Sequence, residues 1–240
     1  MAFAASSPQN RPELLARRSF LRYSGAGLAL GGLALAGCGD DKDEDVAPAR
    51  LDVGPGDTGI LNYAYALEQL EAAFYTQVLS NSYFANATAA EKSIFSDLKD
   101  HEVIHRAFFK QLLGADAIKD LTPDFSGIDF AQRTTAAGAA KLGVLNAARV
   151  FEDLGVAAYN GVARFIKNVE YLHLVGKIVS VEARHAAVIR ELLTPNTFVT
   201  NDVVNISTTG RERLLRPPQV LDQANLFLNA NSKLSANSFV

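Results

Sequence analysis

Apolar residues recur every three or four positions from about residue 58 to 84: Ile60, Leu61, Ala64, Leu67, Leu70, Phe74 and Val78. That period is the mark of a helix burying one face. A second helix opens at Thr88-Ala-Ala-Glu91, a capping-box sequence, and closes at Gly114 after Leu112-Leu113. A third lies within residues 132–166, with a poorly marked start. A fourth is capped by Asn168 and ends before Pro195. Residues 114–131 hold Gly, Pro and Asp without a sustained period and read as a long connection. Short joints at about 85–88 and 166–169 make the first and second helices antiparallel neighbours, and likewise the third and fourth. The expected fold is all-α: a four-helix bundle of two antiparallel hairpins joined by one long crossover. Residues 196–216 read as polar and irregular, and 218–229 as a possible short terminal helix.

The chain repeats itself. Glu68-Gln-Leu-Glu-Ala-Ala-Phe-Tyr75 aligns with Glu152-Asp-Leu-Gly-Val-Ala-Ala-Tyr159. Glu102-Val-Ile-His105 and the run to Leu113 align with Glu182-Ala-Arg-His185 and the run to Leu193. Two related hairpins would then face each other across a pseudo-twofold axis.

Composition narrows the chemistry. One Cys in 240 residues excludes an internal disulfide and any Cys-rich metal site. Lys plus Arg number 23 and Asp plus Glu 26, a balance of −3. Four arginines and one acid fall in the first 37 residues, so the rest of the chain is more acidic still, and no nucleic-acid partner is expected. Residues 1–37 read as an export signal. Arg17-Arg18 with Phe20-Leu21 resembles the twin-arginine motif, and an apolar run too short to span a bilayer follows. Leu35-Ala36-Gly37-Cys38 resembles a lipobox, which makes Cys38 the lipidation site. Residues 38–57 read as the lipidated Cys and an acidic linker, 58–195 as the bundle and 196–240 as a C-terminal extension. The expected partners are the twin-arginine translocase during export and a membrane reached through the lipid. The expected location is the extracytoplasmic face of the cell envelope.

Glu-x-x-His on a helix puts both side chains on one face, where they can hold one metal ion. Two such pairs, with one Glu from each remaining helix, suit a carboxylate-bridged dimetal site. The candidates are Glu68, Glu102, His105, Glu152, Glu182 and His185. Counting from the joints at 1.5 Å per residue, the members of each pair lie level within about one turn. Two divalent ions would neutralise four buried carboxylates that could not otherwise be afforded in an apolar bundle. Glu71 is the alternative to Glu68; the repeat favours Glu68, because Glu152 matches it while Gly155 stands opposite Glu71. The third Glu-x-x-His pair, Glu170/His173, sits at the wrong height and is read as surface. Asp153 is read either as solvated or as orienting a ligand histidine.

These stretches resemble the ferritin-like superfamily, and most closely the secreted ferritin-like group that includes desiccation-related proteins. The resemblance covers about residues 58–193. It implies that Glu68, Glu102 and His105 serve one metal and Glu152, Glu182 and His185 the other, with two of the glutamates bridging. It implies iron or manganese as the two divalent ions. Tyr75 and Tyr159 would hydrogen-bond the ligands, or else be plain core aromatics. The implied activities are ferrous-iron oxidation and peroxide or oxygen reduction, including catalase chemistry, with a small oxidant as the partner and an electron source outside the chain. The alternative is a non-catalytic envelope protein of stress or desiccation, with a structural or vestigial metal site.

Overall fold

A computed structural model describes residues 48–239. The segment read as an export signal, Cys38 and the acidic run that follows it lie outside the described residues. Four long helices dominate: α1 (Gly56–Leu79), α3 (Ala89–Leu113), α4 (Val144–Val162) and α5 (Val169–Leu193). The short α2 (Ser82–Asn86) bridges α1 and α3, and α6 (Pro217–Ala224) follows the bundle. α1 packs on α3 and α4 on α5, and the two hairpins meet through α1 and α4.

Helix ends follow local chemistry. Thr88 Oγ1 accepts from the Glu91 amide while the Glu91 carboxylate accepts from the Thr88 amide, completing the capping box. The Asn168 side chain accepts from the Glu170 amide and opens α5. The first hairpin differs from the single helix expected to 84. α1 stops at Leu79, and the polar Ser80-Asn81 step lets the chain turn into α2 before Thr88 caps α3. The start of α4 falls at Val144, after a two-residue parallel pairing of β2 (Ile128–Asp129) with β3 (Leu142–Gly143) inside the crossover.

The crossover is fastened to α1 by buried polar side chains. Asn62 accepts from the Ile118 amide at 2.9 Å and donates to the Asp116 carbonyl at 2.9 Å. Gln69 accepts from the Leu121 amide at 2.8 Å. Most residues of α1 are buried, because the crossover covers the face that a plain bundle helix would show to water.

The segment after α5 is a structural part of the domain. Val220, Leu221, Ala224, Phe227, Leu228, Leu234 and Phe239 join the main core, and the Phe151 and Phe227 rings lie 4.7 Å apart. β4 (Leu234–Ser235) pairs in parallel with β1 (Leu51–Asp52), within the stretch expected as linker, and Val53 is buried. Gly161 on α4 makes room for this wrapping: a Cβ there would lie 1.7 Å from the Leu215 carbonyl oxygen. Among the described residues, no helix is long and apolar enough to cross a membrane.

Candidate metal centre

Buried positions on α3 recur as Phe95, Leu98, Glu102, Phe109 and Leu113, and on α5 as Val175, Ile178, Glu182, His185 and Ile189. Carboxylates and an imidazole thus occupy places in the stripe that packing reserves for apolar side chains. The same holds on α1 for Glu68 and on α4 for Glu152. All four of these glutamates are 0 % exposed, and His185 is 4 % exposed. His105 is slightly more open, its side chain 13 % exposed.

The six residues expected from sequence converge on one place. Two sets of four can each bring donor atoms within 4.8 Å of one another: Glu68, Glu102, His105 and Glu182, and Glu102, Glu152, Glu182 and His185. Glu102 and Glu182 belong to both. His105 Nδ1 lies 3.1 Å from Glu182 Oε1, 3.2 Å from Glu102 Oε2 and 3.4 Å from Glu68 Oε2. His185 Nδ1 lies 2.9 Å from Glu102 Oε1, 3.5 Å from Glu152 Oε2 and 3.6 Å from Glu182 Oε2. Each shared glutamate therefore turns one oxygen to each histidine.

The two remaining glutamates are held from behind. The Tyr159 hydroxyl on α4 donates to Glu68 Oε1 on α1, and the Tyr75 hydroxyl on α1 donates to Glu152 Oε1 on α4. Each bond occupies the outer oxygen and leaves the other facing inward. Both tyrosines are core residues as well, at 0 % and 2 % exposure.

A metal fits this arrangement on the test of unpartnered atoms. Glu68 Oε2, Glu102 Oε1, Glu152 Oε2, both Glu182 oxygens and His185 Nδ1 are buried without a hydrogen-bond partner. These are the inward-facing atoms. Orphaned buried carboxylate oxygens are costly, and a shared cation is what satisfies several at once.

Without cations the protons redistribute. Burial pushes Glu68 and Glu71 well above the usual carboxylate range and Glu152 up to about 8. Burial also pulls Glu102 upward, but the imidazoles of His105 and His185, 3.2 and 2.9 Å from its oxygens, outweigh it and hold that carboxyl at about 2. Burial pulls His105 down, and the nearby carboxylates of Glu102, Glu182 and Glu68 overcome it and push the imidazole up to about 12. The imidazoles thus act as the counter-charges of the metal-free cluster.

Glu71 and Glu68 are both buried, but only Glu68 belongs to one of the donor sets. Glu71 is 3 % exposed with Oε2 unpartnered, and a Cβ on Gly155 would meet Glu71 Oε1 at 3.1 Å and Glu182 Oε2 at 3.6 Å. The glycine opposite Glu71 is the space it occupies. Glu170 and His173 are exposed, as expected. Asp153 is neither free in solvent nor attached to a histidine: Arg190 donates to its two oxygens at 2.8 and 2.6 Å. One residue was missed by sequence reasoning. His101 Nδ1 lies 2.9 Å from His185 Nε2. Its signal was its place one helical turn before His105, on the same face of α3.

Fold and site together define a helical bundle whose buried carboxylate–histidine cluster could hold metal. The model of the ferritin-like domain matches residues 56–195, more than half of the chain, and the chain belongs to that family. No curated protein matches it.

Proposed function

We propose that the chain is an exported, membrane-tethered oxidoreductase with a carboxylate-bridged pair of iron or manganese ions. The observation that carries this reading is the sharing of Glu102 and Glu182 between two four-residue donor sets. In it, Glu68 and His105 would hold one ion and Glu152 and His185 the other, with Glu102 and Glu182 shared between the two. The oxygen and imidazole donors suit iron and manganese alike. Such a pair, if bound, would supply redox chemistry toward a small oxidant.

The chain's own residues then have definite tasks. Tyr75 and Tyr159 fix the terminal carboxylates by their outer oxygens. The complete burial of Glu68, Glu102, Glu152 and Glu182 keeps bulk water from the cluster. His105, the most open of the six, marks the side from which a molecule as small as peroxide or oxygen reaches the cluster. The body lacks cysteine, so reducing equivalents come from outside the chain. Arg17-Arg18 and Cys38 give the proposed route and anchor: folded export by the twin-arginine translocase, followed by lipidation.

The test is direct. The full chain, stripped and reloaded with Fe(II) or Mn(II), is followed for oxygen uptake, peroxide loss and ferrous oxidation. At least one activity is expected in the loaded wild type and none in Glu102→Ala. Equal rates in the two proteins, or no turnover with either metal, would remove the oxidoreductase reading.

A further inference from the structure

The pseudo-twofold symmetry of the cluster is broken behind the histidines. His185 Nε2 meets His101 Nδ1 at 2.9 Å. The two rings are inclined by 19° with centroids 5.1 Å apart, the separation of two nearly coplanar rings joined edge to edge through an N–H···N bond. His101 itself is exposed on α3. The hairpin repeat that maps Glu102 onto Glu182 and His105 onto His185 maps His101 onto Val181, whose side chain can neither donate nor accept. Among the described residues no side chain holds His105 from behind as His101 holds His185, and His105 is also the more exposed ring, 13 % against 5 % for its side chain.

We infer that the two metal positions are unequal: His101 is a positioning residue that makes the Glu152–His185 position the tight one and leaves the Glu68–His105 position as the exchangeable one. This rests on the dimetal reading above and adds an order of loading to it. The physical reason is tautomer and aim. A histidine that ligates through Nδ1 must carry its proton on Nε2. His101 accepts from that N–H, so the ring already turns Nδ1 toward Glu102, Glu152 and Glu182, and an arriving ion has only to displace the Nδ1 proton. Partners of this kind are worth about 10–100-fold in metal affinity. His105 must settle its tautomer and ring angle as it binds.

The experiment titrates the metal-free full chain with Mn(II) alone, reading free Mn(II) by electron paramagnetic resonance and bound metal by elemental analysis. Wild type is expected to bind in two steps, the first about tenfold or more tighter. His105→Ala should keep the tight step and lose the weak one; His185→Ala should lose the tight one. His101→Ala should weaken the tight step about 10–100-fold and bring it close to the second. His101→Gln, whose amide oxygen can accept the same proton, should restore much of it. A merely structural role for an exposed residue would not give that rescue. Two equal steps in wild type, an unchanged tight step in His101→Ala, or a tight step that survives His185→Ala would each overturn the inference while leaving the dimetal site standing. Failure to bind any Mn(II) would overturn both, and it is told apart by zero stoichiometry.

Discussion

Replacing a shared glutamate should cost the protein both metals, whereas replacing a terminal one should cost it one. Glu102 offers an oxygen to each histidine half, at 2.9 Å from His185 Nδ1 and 3.2 Å from His105 Nδ1, while Glu68 faces only His105. Glutamine keeps the volume of each side chain and removes the charge. A ligand at one hundred times its dissociation constant stabilises the folded state by about 2.7 kcal/mol per site. For a domain of this size each kcal/mol moves the melting temperature by about 2–4 °C. Wild type should therefore gain about 10–20 °C on loading both positions. Glu68→Gln should gain roughly half of that, about 5–10 °C, and Glu102→Gln close to none. The unfolded chain competes weakly, since its body offers no thiolate and only four histidines. Scanning calorimetry of metal-free and loaded samples, with elemental analysis of each, measures both quantities. Identical shifts in Glu68→Gln and Glu102→Gln, or a full wild-type shift in either, would refute the division into shared and terminal ligands.

Tyr159→Phe removes the donor that holds Glu68. A hydrogen bond to a charged group is worth about 1.5–3 kcal/mol, so the Glu68–His105 position should weaken by roughly 10- to 150-fold, with the other position little changed in a Mn(II) titration. Metal-free protein should lose stability as pH rises from about 4.5 to 8. Glu152 is raised to about 8, so across that window the folded chain still holds its proton while the unfolded chain has released it, and each unit of pH favours the unfolded state. Urea melts at pH 5 and pH 8 check this, and loading with metal should flatten or reverse the slope. Arg190 is 4 % exposed and ties Asp153 on α4 to Asp202 beyond α5. Arg190→Leu should cost roughly 3 kcal/mol in urea unfolding, the lower end for a broken buried pair because Asp153 keeps some contact with water. Gly161→Ala should destabilise by about 1–3 kcal/mol and raise proteolysis of residues 196–216, since its methyl would strike the Leu215 carbonyl.

The bundle and the six clustered residues were readable because both obey helical arithmetic. Glu102 and His105, or Glu182 and His185, sit at a spacing that shares a face. The 84- and 80-residue offsets of the repeat tie the two hairpins together. Capping chemistry at Thr88 and Asn168 depends on neighbours in sequence and was readable for the same reason. What failed to show depends on contacts between distant segments. In the sequence, Gly155 only favours Glu68 as the ligand; that its missing side chain is the room Glu71 fills depends on the packing of α1 against α4. Asp153 looked like a surface acid because Arg190, 37 residues away, gives no local sign of its aim. A short helix near 218–229 was readable, and it forms as α6, but the packing of the residues beyond it was not: Leu234 and Phe239 are spaced for wrapping over a finished bundle and follow neither helical nor strand periodicity. His101 carries no Glu at −3, and only the turn of α3 beside α5 brings it to His185.

Crystals of the full chain grown with Mn(II) or Fe(II), and anomalous diffraction collected on either side of the metal absorption edge, test the account most directly. Two anomalous peaks are predicted per chain, one between Glu68 and His105 and one between Glu152 and His185, both contacted by Glu102 and Glu182. A single peak elsewhere in the chain, or none within the cluster at saturating metal, would contradict it.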